Sequence, residues 1–226
     1  MTAVARGRLI VFEGIEGAGK STQLERLAGH LARAGVAHRA FREPGGTPLG
    51  DEIRRVLLDP VSKISGRAEA LLFLASRAEL VARELRPALA TGTVVLLDRF
   101  FLSTYAYQIA GRGLPAGDVR AANLMATEGL VPDVTLLLTL GSTEGLSRAT
   151  RRGARDRIEQ SGDAFHSEVE RAFAEFATRE WQRAHEECGP IVAVDGSGSE
   201  AEVESRVLDA VTARFAELRA ALGAVA

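Results

Sequence analysis

The sequence predicts an α/β fold, a mostly parallel sheet flanked by helices, and three observations carry that expectation. Short apolar runs containing β-branched residues recur four times, a fifth and more polar strand is expected over 37–42, and longer segments with helical periodicity lie between them. Alternation of this kind builds βαβ units, whose connections favour parallel pairing. The first apolar run also ends in a Gly-rich turn that enters a helical segment directly, the layout of a P-loop.

Taken in order, residues 9–12 are unbroken apolar and read as a strand, followed by a helix over 21–34. A second strand is expected over 37–42. The turn residues Pro44, Gly45, Gly46 and Thr47 then precede a helix through Ile53, Val56 and Leu57. The Ala- and Leu-rich stretch 68–89 suits one long helix ending near Gly92. Residues 93–97 form a β-branched run that fits a buried parallel strand, with Asp98 at its C-terminal end. Helices follow over 103–110 and 116–127, a strand over 134–140, and a helix near 143–151. A long amphipathic helix over 165–187, a strand over 191–194 and a helix over 200–222 complete the series. No repeat, linker or composition break interrupts the 226 residues, so a single domain spanning 1–226 is expected, with the Arg-rich stretch near 148–163 as its one independently moving insertion.

Composition narrows the function classes. A formal net charge of −2 argues against a surface that grips nucleic acid through its phosphates, so no nucleic-acid partner is expected. No apolar run approaches the roughly 20 residues a membrane span needs, so no membrane partner is expected either. The N-terminal stretch carries Arg6 and Arg8 and meets Glu13 after a short apolar run, unlike a secretory signal, which makes the cytoplasm the default location. Cys188 is the single cysteine and can form neither an internal disulfide nor a thiolate cluster. Lysine occurs only at Lys20 and Lys63, so chemistry that needs a lysine has two candidates.

Gly14, Ile15, Glu16, Gly17, Ala18, Gly19, Lys20 and Ser21 satisfy GxxxxGK[ST] between a predicted strand and a predicted helix, with Thr22 next in the chain. Glycines let such a loop wrap until its backbone N–H groups face phosphate oxygens, and the helix directs its positive end to the same point. Lys20 would reach the β- and γ-phosphates of ATP, and the Ser21 hydroxyl would ligate Mg²⁺. Asp98, at the end of a buried strand, stands where P-loop proteins place a second Mg²⁺-organising group. By itself it also suits a helix N-cap. Directly after it come Arg99, Ser103, Tyr107 and Gln108, which set a cation, hydroxyls and an amide beside the presumed metal site.

The motifs GIEGAGKS, FREPGGT, LLDRFFLSTYAYQ and RRGARDRIEQ, in this order and spacing, resemble the bacterial thymidylate kinases, and the resemblance runs from Leu9 to about Asp195. It implies a P-loop nucleoside monophosphate kinase-like fold with a five-stranded parallel sheet and a short mobile lid. The implied activity is transfer of the γ-phosphoryl group of ATP to dTMP. Such a reaction needs no His or Cys nucleophile, because the acceptor is already anionic and catalysis reduces to alignment and charge neutralisation. By the same resemblance Arg42 and Arg99 would hold the acceptor phosphate, Glu16 would meet the 3′-hydroxyl, Phe73 would stack on thymine, and Arg77 would bond its carbonyl edge. Ser103, Tyr107 and Gln108 would complete the pocket. Gly17 replaces the basic P-loop residue of some relatives, which points to the subtype whose lid supplies the cation. Among Arg148, Arg151, Arg152, Arg155 and Arg157, Arg152 is favoured first and Arg157 second. Family members are usually homodimers.

Two competing readings follow from the residues. A deoxynucleoside kinase would need a carboxylate near the end of the second strand to deprotonate a 5′-hydroxyl, and Glu43 lies there. A regulatory NTPase would carry a guanine-specificity motif or a water-positioning Gln or Glu near its second metal-binding segment; this sequence has no NKxD-like tetrapeptide, and the reading would leave Arg42, Phe73, Arg77 and Arg99 without a task.

Overall fold

The computed structural model describes residues 6–140 and 156–224. Five parallel strands, β1 (Leu9–Glu13), β2 (His38–Arg42), β3 (Val94–Asp98), β4 (Val134–Thr139) and β5 (Ile191–Asp195), form one sheet in the order β2-β3-β1-β4-β5. The central strand β1 pairs with β3 through Val11 and Leu97 and with β4 through Val11 and Thr135. Loops after β1 and β3 are therefore neighbours at the carboxyl edge of the sheet, where open α/β sheets bind ligands.

Strand residues alternate between two apolar layers. Leu9, Val11, Val95 and Leu97 face one cluster. Ile10, Phe12, Leu96 and Leu136 face the other. Both faces are covered, which is why these strands read as continuous apolar runs. The second layer is closed by α1 (Lys20–Arg33). After β2, α2 (Pro48–Leu58) starts with Pro at its first turn and Thr47 as N-cap, whose hydroxyl accepts from the Gly50 N–H at 3.0 Å. The expected long helix is present as α3 (Gly66–Leu80), a π-helical stretch (Val81–Leu85) and α4 (Arg86–Ala90) in unbroken succession. Following β3, α5 (Phe101–Thr104) runs into a second π-helical stretch (Tyr105–Gly111), and α6 (Ala116–Thr127) precedes β4.

Two expectations are corrected. The single helix over 165–187 is divided into α7 (Asp163–Phe176), α8 (Arg179–Ala184) and a 3₁₀ turn (Glu186–Cys188). Thr178 breaks the run by capping α8, its hydroxyl accepting from the Trp181 N–H, which lets the Trp181 ring pack 4.4 Å from Phe176. Likewise, the helix over 200–222 splits into α9 (Glu200–Arg214) and α10 (Ala216–Gly223). Phe215 between them is extended (φ −121°, ψ 101°) and buries its ring in the second layer. The helix expected near 143–151 lies outside the described residues. Among those described, no helix is long and apolar enough to cross a membrane.

Candidate active site

The loop that follows β1 depends on glycine at its entrance. Gly14 has φ +139°, and a Cβ there would come within 2.5 Å of the Leu138 carbonyl oxygen on β4. Gly19, at φ +92°, turns the chain into α1 and places Lys20 at its first position. The Lys20 ammonium donates to the Gly14 and Ile15 carbonyls at 3.0 and 2.8 Å, so the side chain folds back along its own loop. Burial and, after it, the nearby Arg99 guanidinium push its pKa down to about 7. An anion bound beside it favours the charged form and so offsets this lowering. Nucleotide triphosphate binding at pH 8 is therefore expected to take up close to one proton, since a pKa of about 7 leaves Lys20 largely neutral beforehand. Calorimetry in two buffers of different ionisation enthalpy measures this uptake, and Lys20→Met should abolish it. Equal uptake in the variant would show that another group is responsible.

Ser21 and Asp98, remote in sequence, meet here: the Ser21 hydroxyl donates to Asp98 Oδ2 at 2.6 Å. The other carboxylate oxygen of Asp98 is buried without a hydrogen-bond partner. A hydroxyl beside a carboxylate with an uncommitted oxygen is a hard-oxygen donor set that fits Mg²⁺.

At the end of β3 the chain reverses through Arg99, which has φ +73°. The buried Glu13 side chain holds this turn. Its Oε1 accepts the N–H groups of Phe100 and Ser103 at 2.7 and 3.0 Å, and its Oε2 accepts the Ser103 hydroxyl at 2.7 Å. Ser103 in turn accepts from Arg99 Nη1 at 3.0 Å, and the Arg99 guanidinium lies over the Tyr107 ring, 5.2 Å from its centroid. Glu16 is 4.0 Å from Arg99 Nη2. Burial works against the charge on Arg99, but the neighbouring carboxylates of Asp98, Glu16 and Glu13 outweigh it and hold the guanidinium firmly protonated. Burial raises the Tyr107 pKa well above that of a free phenol.

These groups open onto one cavity of about 230 Å³. Glu16, Lys20, Ser21 and Asp98 line it, and so do Phe73, Arg77, Tyr107 and Gln108. Arg42 and Arg99 line it as expected, and Arg54, which sequence reasoning missed, joins them. Burial and the positive charges of Arg42 and Arg99 lower the Arg54 pKa, which marks three guanidiniums gathered around one space. An anion in that space relieves their repulsion.

Arg77 is 2% exposed, and all five of its N–H donors are engaged: two by Glu43 Oε2 and one each by Thr104, Asn123 and the Phe100 carbonyl. Its spacing from Phe73 places both on one helix face. A base carbonyl must therefore share or displace one of these partners. The same network commits Glu43, the base required by the deoxynucleoside kinase reading, to an ion pair. Thr104, Glu13 and Glu43 were absent from the expected site, although each sits inside or beside a quoted motif.

Of the lid arginines, Arg148, Arg151, Arg152 and Arg155 lie outside the described residues. Arg157 does not line the cavity. Its Nε donates to the Leu57 carbonyl at 2.7 Å and its Nη1 pairs with buried Glu69 at 2.8 Å, so it fastens the chain against α2 and α3. Its neighbours Asp156, Ile158 and Glu159 do line the cavity.

A family model described as thymidylate kinase matches residues 12–187. A thymidylate kinase of Deinococcus radiodurans is 46% identical over 211 residues, covering 93% of this chain and 99% of that protein. One from Pseudomonas fluorescens is 49% identical over 178 residues, 78% and 85% of the two chains. Another, from Trichlorobacter lovleyi, is 42% identical over 214 residues, 92% and 98%. The matched span contains the phosphate loop, the Asp98–Arg99 turn and the helix that carries Phe73 and Arg77, so the chain belongs to the thymidylate kinase family.

Proposed function

We propose that this protein transfers the γ-phosphoryl group of ATP to the 5′-phosphate of dTMP, giving dTDP and ADP. The observation that carries the reading is the convergence of Arg42, Arg54 and Arg99 on the cavity that Lys20 and Asp98 also line. A dianionic acceptor held there faces a triphosphate on the loop, and transfer needs alignment rather than a nucleophilic side chain. Arg99 suits both phosphates: it is partly buried beside Lys20, and its Nη1 donates to Ser103. Ser21 and Asp98 would hold Mg²⁺, which when bound offsets charge on the phosphate oxygens. Phe73 offers thymine a ring face, Tyr107 and Gln108 close the pocket, and Glu16 is placed for the sugar 3′-hydroxyl. Arg152 is the remaining candidate for the lid cation. Asp156, Ile158 and Glu159, within the 148–163 stretch, line the same cavity. In an assay with ATP and Mg²⁺ the protein should phosphorylate dTMP and not thymidine. Turnover of thymidine with dTMP left unchanged would refute the reading.

The functional unit we propose is a homodimer. Leu49 on α2, Leu71 on α3 and Leu124 and Met125 on α6 are exposed to between 43% and 77%, on helices that pack side by side. An apolar surface spread over three adjoining helices suits a second copy of the chain. Sedimentation at micromolar concentration should give the mass of two chains, and Leu71→Glu with Met125→Glu should shift it to one.

A further inference from the structure

Glu69, in the first turn of α3, has no exposed surface and no task in the reaction described above. Its carboxylate accepts from Gln108 Nε2 at 3.1 Å and from Arg112 Nε at 3.0 Å on one oxygen. On the other it accepts from Arg112 Nη2 at 3.0 Å and pairs with Arg157 Nη1 at 2.8 Å. Burial opposes its charge, yet the two guanidiniums outweigh that and hold the carboxyl below the usual carboxylate range. An ionised carboxylate can only accept hydrogen bonds.

That one-sidedness has a consequence for Gln108, which is 2% exposed and lines the cavity beside Phe73. An amide has a donor end and an acceptor end, and the surrounding hydrogen bonds decide which points where. Facing an obligate acceptor, Gln108 must turn its NH₂ group toward Glu69. Its carbonyl oxygen is then turned away from Glu69, and Gln108 lines the cavity. We propose that Glu69 is a positioning residue that fixes the orientation of the Gln108 amide and thereby selects a base with an N–H donor at its pairing edge over a base with a bare acceptor there.

The proposal rests on the dTMP kinase reading. Thymine carries a hydrogen on N3, whereas cytosine presents a lone pair at that atom. A carbonyl fixed against a lone pair leaves two acceptors facing each other in a buried site, and sites built around one hydrogen bond reject analogues that lack it by large factors. A neutral partner at position 69 can donate as well as accept, so the Gln108 amide can then rotate by half a turn and suit either base.

The test compares kcat/KM for dTMP and dCMP in the wild type and in Glu69→Gln. The preference for dTMP should fall at least tenfold in the variant, chiefly through KM, because the transferring phosphates are not rearranged. A purely structural role for Glu69 would lower both substrates together and leave the ratio unchanged, which overturns the proposal. Should Glu69→Gln fail to fold, N3-methyl-dTMP tests the wild type directly: it should bind at least tenfold more weakly than dTMP, and equal binding overturns the proposal. A wild-type protein inactive on dTMP refutes the kinase reading instead, whereas dTMP activity with an unchanged ratio removes only the role given to Glu69.

Discussion

Arg99→Ala is expected to lower kcat/KM for dTMP phosphorylation by about 10³-fold or more, with most of the loss in kcat, the scale seen when a cation is removed from a phosphoryl-transfer site. The reasoning starts from geometry. Arg99 leaves β3 in a left-handed backbone conformation that few non-Gly residues adopt, its N–H donating to the Phe12 carbonyl at 3.0 Å. Glu13 holds the next turn through Phe100 and Ser103, and Ser103 aims the guanidinium. A cation held rigidly between donor and acceptor phosphates need not reorganise as charge moves between them. Arg99→Lys should recover only part of the loss, because an ammonium lacks the planar fork that bonds Ser103 while addressing a phosphate. Steady-state kinetics with dTMP, alongside a melting curve, measures both. A loss below tenfold in a folded Arg99→Ala protein would remove Arg99 from the reaction.

The largest stability effect is expected from Arg77→Met. Arg77 and Glu43 form an ion pair with side chains only 2% and 3% exposed. Removing one partner of such a pair strands the other charge and costs about 3–5 kcal/mol. For a chain of this size that lowers the melting temperature by roughly 6–20 °C. The pH dependence has a definite sign. Burial raises the Glu43 pKa above the ordinary carboxylate value even with Arg77 opposing it. Without Arg77 it rises further, so the folded variant keeps its proton to higher pH than the folded wild type, and the deficit grows as pH rises past the raised wild-type value toward that of the variant. Urea unfolding at pH 5 and pH 8 should show the smaller deficit at pH 5, and Glu43→Gln in the Arg77→Met background should flatten the difference. A deficit below about 1 kcal/mol at pH 8 would show that burial of the pair, rather than its integrity, governs stability there.

Much of the fold is legible because the relevant signals are local. The strands β1, β3 and β4 are covered on both faces, so they announce themselves as apolar runs, and α6 matches its expected 116–127 span. Breaks at Thr178 and Phe215 are not legible in periodicity, because the helical pattern continues through both positions. Each break exists because an aromatic side chain, Trp181 or Phe215, gains packing that a straight helix would deny it. The phosphate loop is readable for the opposite reason: backbone geometry forces glycine, lysine and hydroxyl into a fixed spacing within eight residues.

The sequence by itself determined a parallel α/β chain, a nucleotide-phosphate loop around Lys20, and a set of arginines that a small anionic partner would explain. Only the tertiary structure decided what each charge does. It joined Ser21 to Asp98, added Arg54 to Arg42 and Arg99, saturated Arg77 with Glu43, and drew Arg157 away to Glu69. The physical reason is that a charged side chain takes its role from its partners and its burial, and both are set by residues tens of positions away in the chain.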